Sequence, residues 1–368
     1  MKIVTLLIVL LSSLNAAPQS LSPLERQLKK DISDGRLDSY NHIEAAFILS
    51  GVRNHDSLQT CLHWYDDLIQ TIKTFDIDHF ERVNSAAKVF SYLHTTWLID
   101  YRERATTLLD VVRKKQYNCV AGTILYNLVC ESLGWHTEAF ETPSHTYTIF
   151  PNFSRNLVVE NTTTYGFDIL ENLNQYSRYL AQFYPSEKVY QIGLDRLYEY
   201  ENSKGRVITN TELLGLLAYN RAYFAEGQKN YDQAYEFVIL AQYFNKDSRS
   251  NINFEINLYN VWGKQLFDSR RFHQAFELYA DAYYRYWQEE VFAHNCKAAF
   301  FNAASQDWQQ KRWISTIRLF QEIYDLDILQ SKDHYRATQM LNSWVHFFDR
   351  NSKPKEKKEA MELLQNFQ

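Results

Sequence analysis

The chain has 368 residues, enough for two domains and a sizeable core. Its formal net charge of −5 lacks the basic footprint that nucleic-acid binding needs, and the basic cluster from Lys353 to Lys358 is broken by Pro354 and Glu356 and reads as a solvated linker. With 10 Gly and 6 Pro against 26 Tyr, 23 Phe and 8 Trp, the composition excludes a loop-rich all-β fold and suits helix-on-helix packing.

Residues 1–17 read as a leader. Lys2 supplies the positive start, Ile3 to Leu11 the apolar run, and Asn15-Ala16-Ala17 the small residues for cleavage near Ala16 or Ala17. That run is too short to span a bilayer, and no later window is long and apolar enough. The mature chain is expected to be exported, periplasmic or secreted, with no transmembrane segment.

From about residue 20 to 115 the apolar spacing is helical. Asp38-Ser39 can cap a helix carrying Ile43, Ala46 and Phe47. Ser57 can cap one carrying Cys61, Trp64 and Leu68, and Asp78 one carrying Phe80, Val83 and Ala87. Asn118 can cap a further helix that runs to Leu133, where Gly134 stops it. Between Ser132 and Asp168 the pattern changes. Thr137 to Thr142, His145 to Phe150 and Asn156 to Asn161 are short, rich in β-branched and aromatic residues, and read as strands; the last two form a hairpin through Pro151-Asn152.

The C-terminal half carries an internal repeat. Tyr231, Phe272 and Trp313 recur every 41 residues, and the same register aligns Ala222, Gly263 and Ala304, then Val238, Tyr279 and Phe320. Small residues at helix crossings and aromatics filling the gaps are what a stack of helical hairpins needs. Tyr335 to Phe348 and Lys357 to Phe367 could cap the stack. The middle copy, with Tyr259, Trp262, Gly263, Leu266, Ala275, Tyr279 and Ala282, resembles the tetratricopeptide repeat, although that repeat has a shorter period. The resemblance implies either a scaffold or a surface for protein or peptide partners.

Four cysteines, Cys61, Cys119, Cys130 and Cys296, are too few for a disulfide framework. Cys119 and Cys130 sit on one predicted helix, about 16 Å apart at 1.5 Å per residue, and cannot bond to each other; a Cys61–Cys130 bridge stays open. Cys119 lies in the first turn of its helix, where the partial positive charge of the helix start favours thiolate. Arg113, Lys114 and Lys115 just upstream could add to this or form a solvated helix end. Alternation in the hairpin places His145, Tyr147 and Ile149 on one face, and Val158, Glu160 and Thr162 on one face of its partner. If those faces coincide and look at the helix, His145 can take the Cys119 proton and Glu160 can orient the imidazole. Each residue also has a plain structural reading: a small buried apolar cysteine, a turn histidine, a solvated strand glutamate. Sequons occur at Asn152-Phe153-Ser154 and Asn161-Thr162-Thr163.

These residues carry a resemblance. The run from roughly 100 to 170, with its helix-borne cysteine, Ser-His strand and following strand ending in an acid and Thr-Thr, resembles the transglutaminase-like superfamily and its papain-like core. It is most similar to a branch of exported bacterial proteins in which the cysteine follows Tyr-Asp and the histidine follows Thr-Pro-Ser. The resemblance implies Cys119 as nucleophile, His145 as general base and Glu160 as orienter. Asn118 and Glu160 each stand where Asp is usual. Asn161 is an alternative orienter, but adjacent strand residues face opposite ways. The Cys119 backbone N–H is the one assured oxyanion donor, with Gln116 a further candidate.

No phosphate-binding Gly-rich loop, Gly-x-Ser-x-Gly elbow, His-Glu-x-x-His or paired Cys-x-x-Cys is present, so neither metal nor cofactor is expected. The expected fold is mostly α with a small antiparallel sheet: N-terminal helices and an α+β papain/transglutaminase-like core over 18–180, a linker over 181–208, and a C-terminal α-solenoid of tetratricopeptide-like repeats over 209–368. The expected function is cysteine-dependent acyl transfer by a peptidase, amidase or transglutaminase-like enzyme. The alternative is a non-catalytic interaction scaffold that keeps the fold.

Overall fold

A computed structural model of the chain describes residues 21–75, 82–151, 157–182 and 184–367. The leader, the Asp78 cap and the Asn152 sequon lie outside these. The fold is mostly helical with one small antiparallel sheet, and the chain divides into two compact units after Ile252. The stretch 181–208, expected to be a linker, and the first repeat hairpin both fall in the first unit.

Side-chain caps start the N-terminal helices. In Pro23–Asp31, Ser22 and Glu25 bond reciprocally to each other's backbone N–H groups, and Asn41 and Glu44 do the same at the start of His42–Leu49. The second helix therefore begins at Asn41 rather than at the expected Asp38-Ser39. Asn54, not Ser57, caps His55–Lys73: its Oδ1 accepts from the Ser57 N–H at 2.9 Å. Asparagine places the same acceptor as serine would, three residues earlier.

Two short parallel strands, β1 (Asp100–Tyr101) and β2 (Gln116–Tyr117), lead into the helix Cys119–Ser132. Nearly every residue of that helix is buried, so it forms the centre of the unit. Leu133 caps its end and Gly134 follows with φ 75°, the left-handed turn that glycine adopts without strain.

The sheet has the order β5-β4-β3-β6, all antiparallel: β3 is Glu138–Glu141, β4 Thr146–Phe150, β5 Leu157–Val159 and β6 Arg206–Ile208. In the hairpin, Ile149 pairs with Val158 and Thr148 with Val159. One face lies on the central helix, where Thr148 donates to the Asn127 side chain at 2.5 Å and Phe150 packs edge-on against Tyr126. The other face, with Tyr147 and Val158, packs against Ile169, Tyr176, Leu180 and Leu197. The face carrying Tyr147 and Val158 therefore looks away from the cysteine helix, which corrects the simple alternation argument. His145 and Glu160 lie just beyond the ends of β4 and β5.

The 41-residue period is a backbone repeat as well as a side-chain one. Helices begin at Tyr231, Phe272 and Trp313, each two residues after a left-handed residue: Lys229 (φ 60°), Arg270 (φ 57°) and Lys311 (φ 54°). The intervening residue closes the turn each time, through Asn230 N–H to Ala225 O, Arg271 N–H to Leu266 O and Arg312 N–H to Asp307 O. The period continues once more: Ser352 has φ 54°, Lys353 N–H bonds to Phe348 O, and the helix Pro354–Gln365 follows. The final helical pair, read from sequence as a cap, is thus a fourth copy of the same turn. In the second unit the small residue at the crossing is required, because a Cβ on Gly263 would lie 2.3 Å from the Tyr279 ring.

Candidate active site

Asn118 is extended (φ −123°, ψ −172°) and its Oδ1 accepts from the Ala121 N–H at 3.0 Å, which starts the helix at Cys119 as the sequence predicts. Its amide also donates to the Glu103 carbonyl at 3.3 Å, tying the helix start to the preceding loop. Cys119 is half-buried, whereas Cys61, Cys130 and Cys296 are buried; all four are free thiols, so no Cys61–Cys130 bridge forms. Burial pushes the thiols of Cys61, Cys130 and Cys296 up.

His145 ends a tight turn in which its N–H donates to Thr142 Oγ1 at 3.0 Å and Thr142 N–H donates to the His145 carbonyl at 2.8 Å. Glu201, from the helix Leu197–Asn202, accepts from Ser144 Oγ at 2.8 Å and from Thr142 Oγ1 at 3.2 Å and so holds the turn. The imidazole Nε2 lies 2.6 Å from Glu160 Oε2, with 13% of the His145 side chain exposed and none of Glu160. A carboxylate only accepts, so Nε2 carries the hydrogen and Nδ1 is left as the ring's acceptor. Burial disfavours the imidazolium; the Glu160 carboxylate, its hydrogen bond to the ring and the nearby Cys119 thiol more than offset it and hold His145 well above its ordinary pKa. Burial alone would raise Glu160, but His145 and the donors around it hold the carboxyl below its usual range.

Glu160 is saturated with donors. Oε1 accepts from Thr162 N–H at 3.0 Å and Thr162 Oγ1 at 2.6 Å, and Oε2 accepts from Tyr176 Oη at 2.9 Å besides His145. The backbone is pinned too: Glu160 N–H donates to the Gly166 carbonyl at 2.9 Å, and a Cβ on residue 166 would sit 1.9 Å from the Glu160 carbonyl oxygen.

The structure joins His145 to Glu160 by a 2.6 Å hydrogen bond, sets the Cys119 thiol near enough to the ring to influence it, and turns Asn161 away. Asn161 Nδ2 donates to Thr148 Oγ1 at 2.9 Å and to Thr123 Oγ1 at 3.3 Å, on the helix side of the sheet. Asn161 is fully buried, which closes its sequon to a glycan in the folded chain. Gln116 Nε2 donates to Asp100 Oδ2 at 3.1 Å across β1 and β2. Lys114 pairs with Asp110 at 3.1 Å and Lys115 lies over the Trp97 ring, as a solvated helix end would.

Sequence reasoning missed Tyr176, Tyr179 and Glu201, which come from helices beyond the 100–170 run. The one available signal was the pair of tyrosines three apart on an amphipathic helix. A scan against protein-family models finds no match, and a search of curated proteins finds no relative at significant similarity.

Proposed function

We propose that this chain is an exported, cysteine-dependent acyl-transfer enzyme of the transglutaminase-like kind, with a papain-like core and a C-terminal solenoid of tetratricopeptide-like repeats. The observation that supports this reading is the His145 ring held at 2.6 Å by a fully buried, fully bonded Glu160, with the half-buried Cys119 thiol acting on the same ring. Glu160 fixes the ring and its tautomer; His145 takes the thiol proton through Nδ1. The sulfur then attacks a carbonyl, an amide in the first instance, and the Cys119 backbone N–H at the helix start is available to the oxyanion. Imidazolium gives its proton to the leaving amine, and the thioester passes its acyl group to water or to a second amine. The repeats present a protein or peptide substrate. A library of electrophilic peptides incubated with the full chain tests this: adducts mapping to Cys119 and lost in His145→Ala support it, and labelling spread over other residues contradicts it.

A second reading, a non-catalytic scaffold, is favoured by a groove of about 1100 Å³ in the C-terminal unit, lined by Phe276, Trp313, Trp344 and Phe348 with Lys311 and Glu359 at hand. Ordinary thiol behaviour at Cys119 would leave this reading in its place.

A further inference from the structure

We infer that Tyr176 is a positioning residue for the proposed base, acting through Glu160, and that Tyr179 and Thr162 complete the support. The inference rests on the Cys119–His145–Glu160 reading above and extends it to a helix outside the core that suggested it.

A glutamate has one more rotatable bond than an aspartate. To hold an imidazole as well as the shorter acid, it must be restrained from more directions. An ionised carboxylate offers about four lone-pair sites. At Glu160 all four are used, and only one of the partners is His145. Tyr176 shares Oε2 with His145, so it fixes the oxygen that orients the ring. The phenol is itself 1% exposed and packed in the cluster with Tyr147, Val158 and Leu197, so the donor cannot swing away.

The other oxygen is supported by a directed chain. Thr162 Oγ1 lies 2.6 Å from Glu160 Oε1 and 2.6 Å from Tyr179 Oη. The carboxylate cannot donate, so the threonine hydrogen goes to Glu160 and Tyr179 must donate to the threonine. Tyr176 and Tyr179 are one turn apart on Leu173–Ala181, with rings 6.2 Å apart and nearly parallel at 14°. One helix face thus delivers a donor to each carboxylate oxygen, directly at Oε2 and through Thr162 at Oε1. Donors to the charged form keep a buried carboxyl ionised, and an ionised Glu160 is what leaves His145 free to act on the thiol.

The test is the rate of Cys119 modification by iodoacetamide in the full chain across the acid and neutral range, for wild type, Tyr176→Phe, Thr162→Val, Thr162→Ser, Glu160→Gln and Tyr198→Phe. Tyr198 packs against the same aromatic cluster. Loss of one donor makes Glu160 easier to protonate. The acid limb of the Tyr176→Phe profile should move up by about half a pH unit, read as about a threefold slower reaction at a fixed pH on the limb. Thr162→Val should move it the same way, Thr162→Ser should restore most of the shift, and Tyr198→Phe should leave it in place. If Tyr176→Phe and Thr162→Val overlay wild type while the limb still responds to Glu160→Gln, the two hydroxyls only pack, and the inference is overturned alone. If Glu160→Gln also overlays wild type, the parent reading fails and takes the inference with it.

Discussion

Glu160 and Asn161 are adjacent in the chain and serve opposite faces of the sheet: Glu160 meets His145 at 2.6 Å, and Asn161 meets Thr148 at 2.9 Å. Just past the end of β5 the two successive side chains still leave the backbone on opposite sides. This assigns the ring-orienting role to one residue and a structural role to the other.

Substitutions at the two positions should therefore separate chemistry from stability. Glu160→Gln keeps the shape but presents an amide that can donate to Nε2, which moves the hydrogen to Nδ1 and removes the acceptor for the thiol. Thiol reactivity at neutral pH should fall by about tenfold or more. Asn161→Ala should leave that reactivity near wild type and cost about 1–3 kcal/mol of stability, read by thermal unfolding, because it strips partners from buried Thr148 and Thr123.

The ion pair also sets a pH window. Glu160 is held below its ordinary 4.5, so its contribution is present above that value and fades as pH falls through the folded-state pKa. His145 is held above 6.5, so its contribution is complete below that value and fades as pH rises through the folded-state pKa. Thermal unfolding followed against pH should lose both slopes in Glu160→Gln.

The four thiols should behave differently. Three are buried and pushed up, and Cys119 alone is half-buried, close to the His145 imidazole. Brief carbamidomethylation of the native chain at neutral pH, followed by peptide mapping, should modify Cys119 first, and Cys119→Ser should leave the folded chain unmodified on that timescale.

His94 supplies a separate acid response. It is 4% exposed, sits 4.3 Å from the Phe90 ring and, among the described residues, has no hydrogen-bond partner on either ring nitrogen. Burial lowers its pKa from 6.5 to about 4, against the pull of Glu160. The folded state binds that proton less well than the unfolded chain, so stability is lost as pH falls through this range. The loss is about 3 kcal/mol from this residue between its two pKa values. His94→Phe should flatten that part of the stability profile; an unchanged acid slope would refute the assignment.

Gly263→Ala should destabilise the C-terminal unit. Alanine is the better helix former by about 1 kcal/mol, but its methyl would meet the Tyr279 ring at 2.3 Å. Overpacking should win, for a net loss of about 1–3 kcal/mol by denaturant titration of the full chain. Pairing the change with Tyr279→Leu should recover most of it.

Local chemistry made much of this legible in advance. The cap at Asn118, the stop at Gly134, the three sheet strands and the 41-residue register are all signals carried by a few neighbouring residues. The fourth turn at Ser352 was hidden because its repeat lives in backbone conformation, with Pro354 standing where Tyr231, Phe272 and Trp313 stand. β6 was hidden because Arg206–Ile208 is an edge strand of three residues whose partner lies far back in the chain. The donors from Tyr176 and Tyr179 were hidden for the same reason: nothing in their own segment says which carboxylate they will meet. The alternation argument found a pair of side chains that meet but the wrong face, because His145 and Glu160 lie just beyond the strand ends, where the pleat no longer decides what a side chain reaches.

The most direct measurement is the second-order rate of Cys119 alkylation at neutral pH in wild type, His145→Ala and Glu160→Gln, each confirmed folded by circular dichroism. The account predicts a wild-type rate well above that of an unassisted thiol, reduced about tenfold or more in both variants. Equal rates in all three proteins, at the level of a free cysteine, would show that sulfur, ring and carboxylate lie together without acting together.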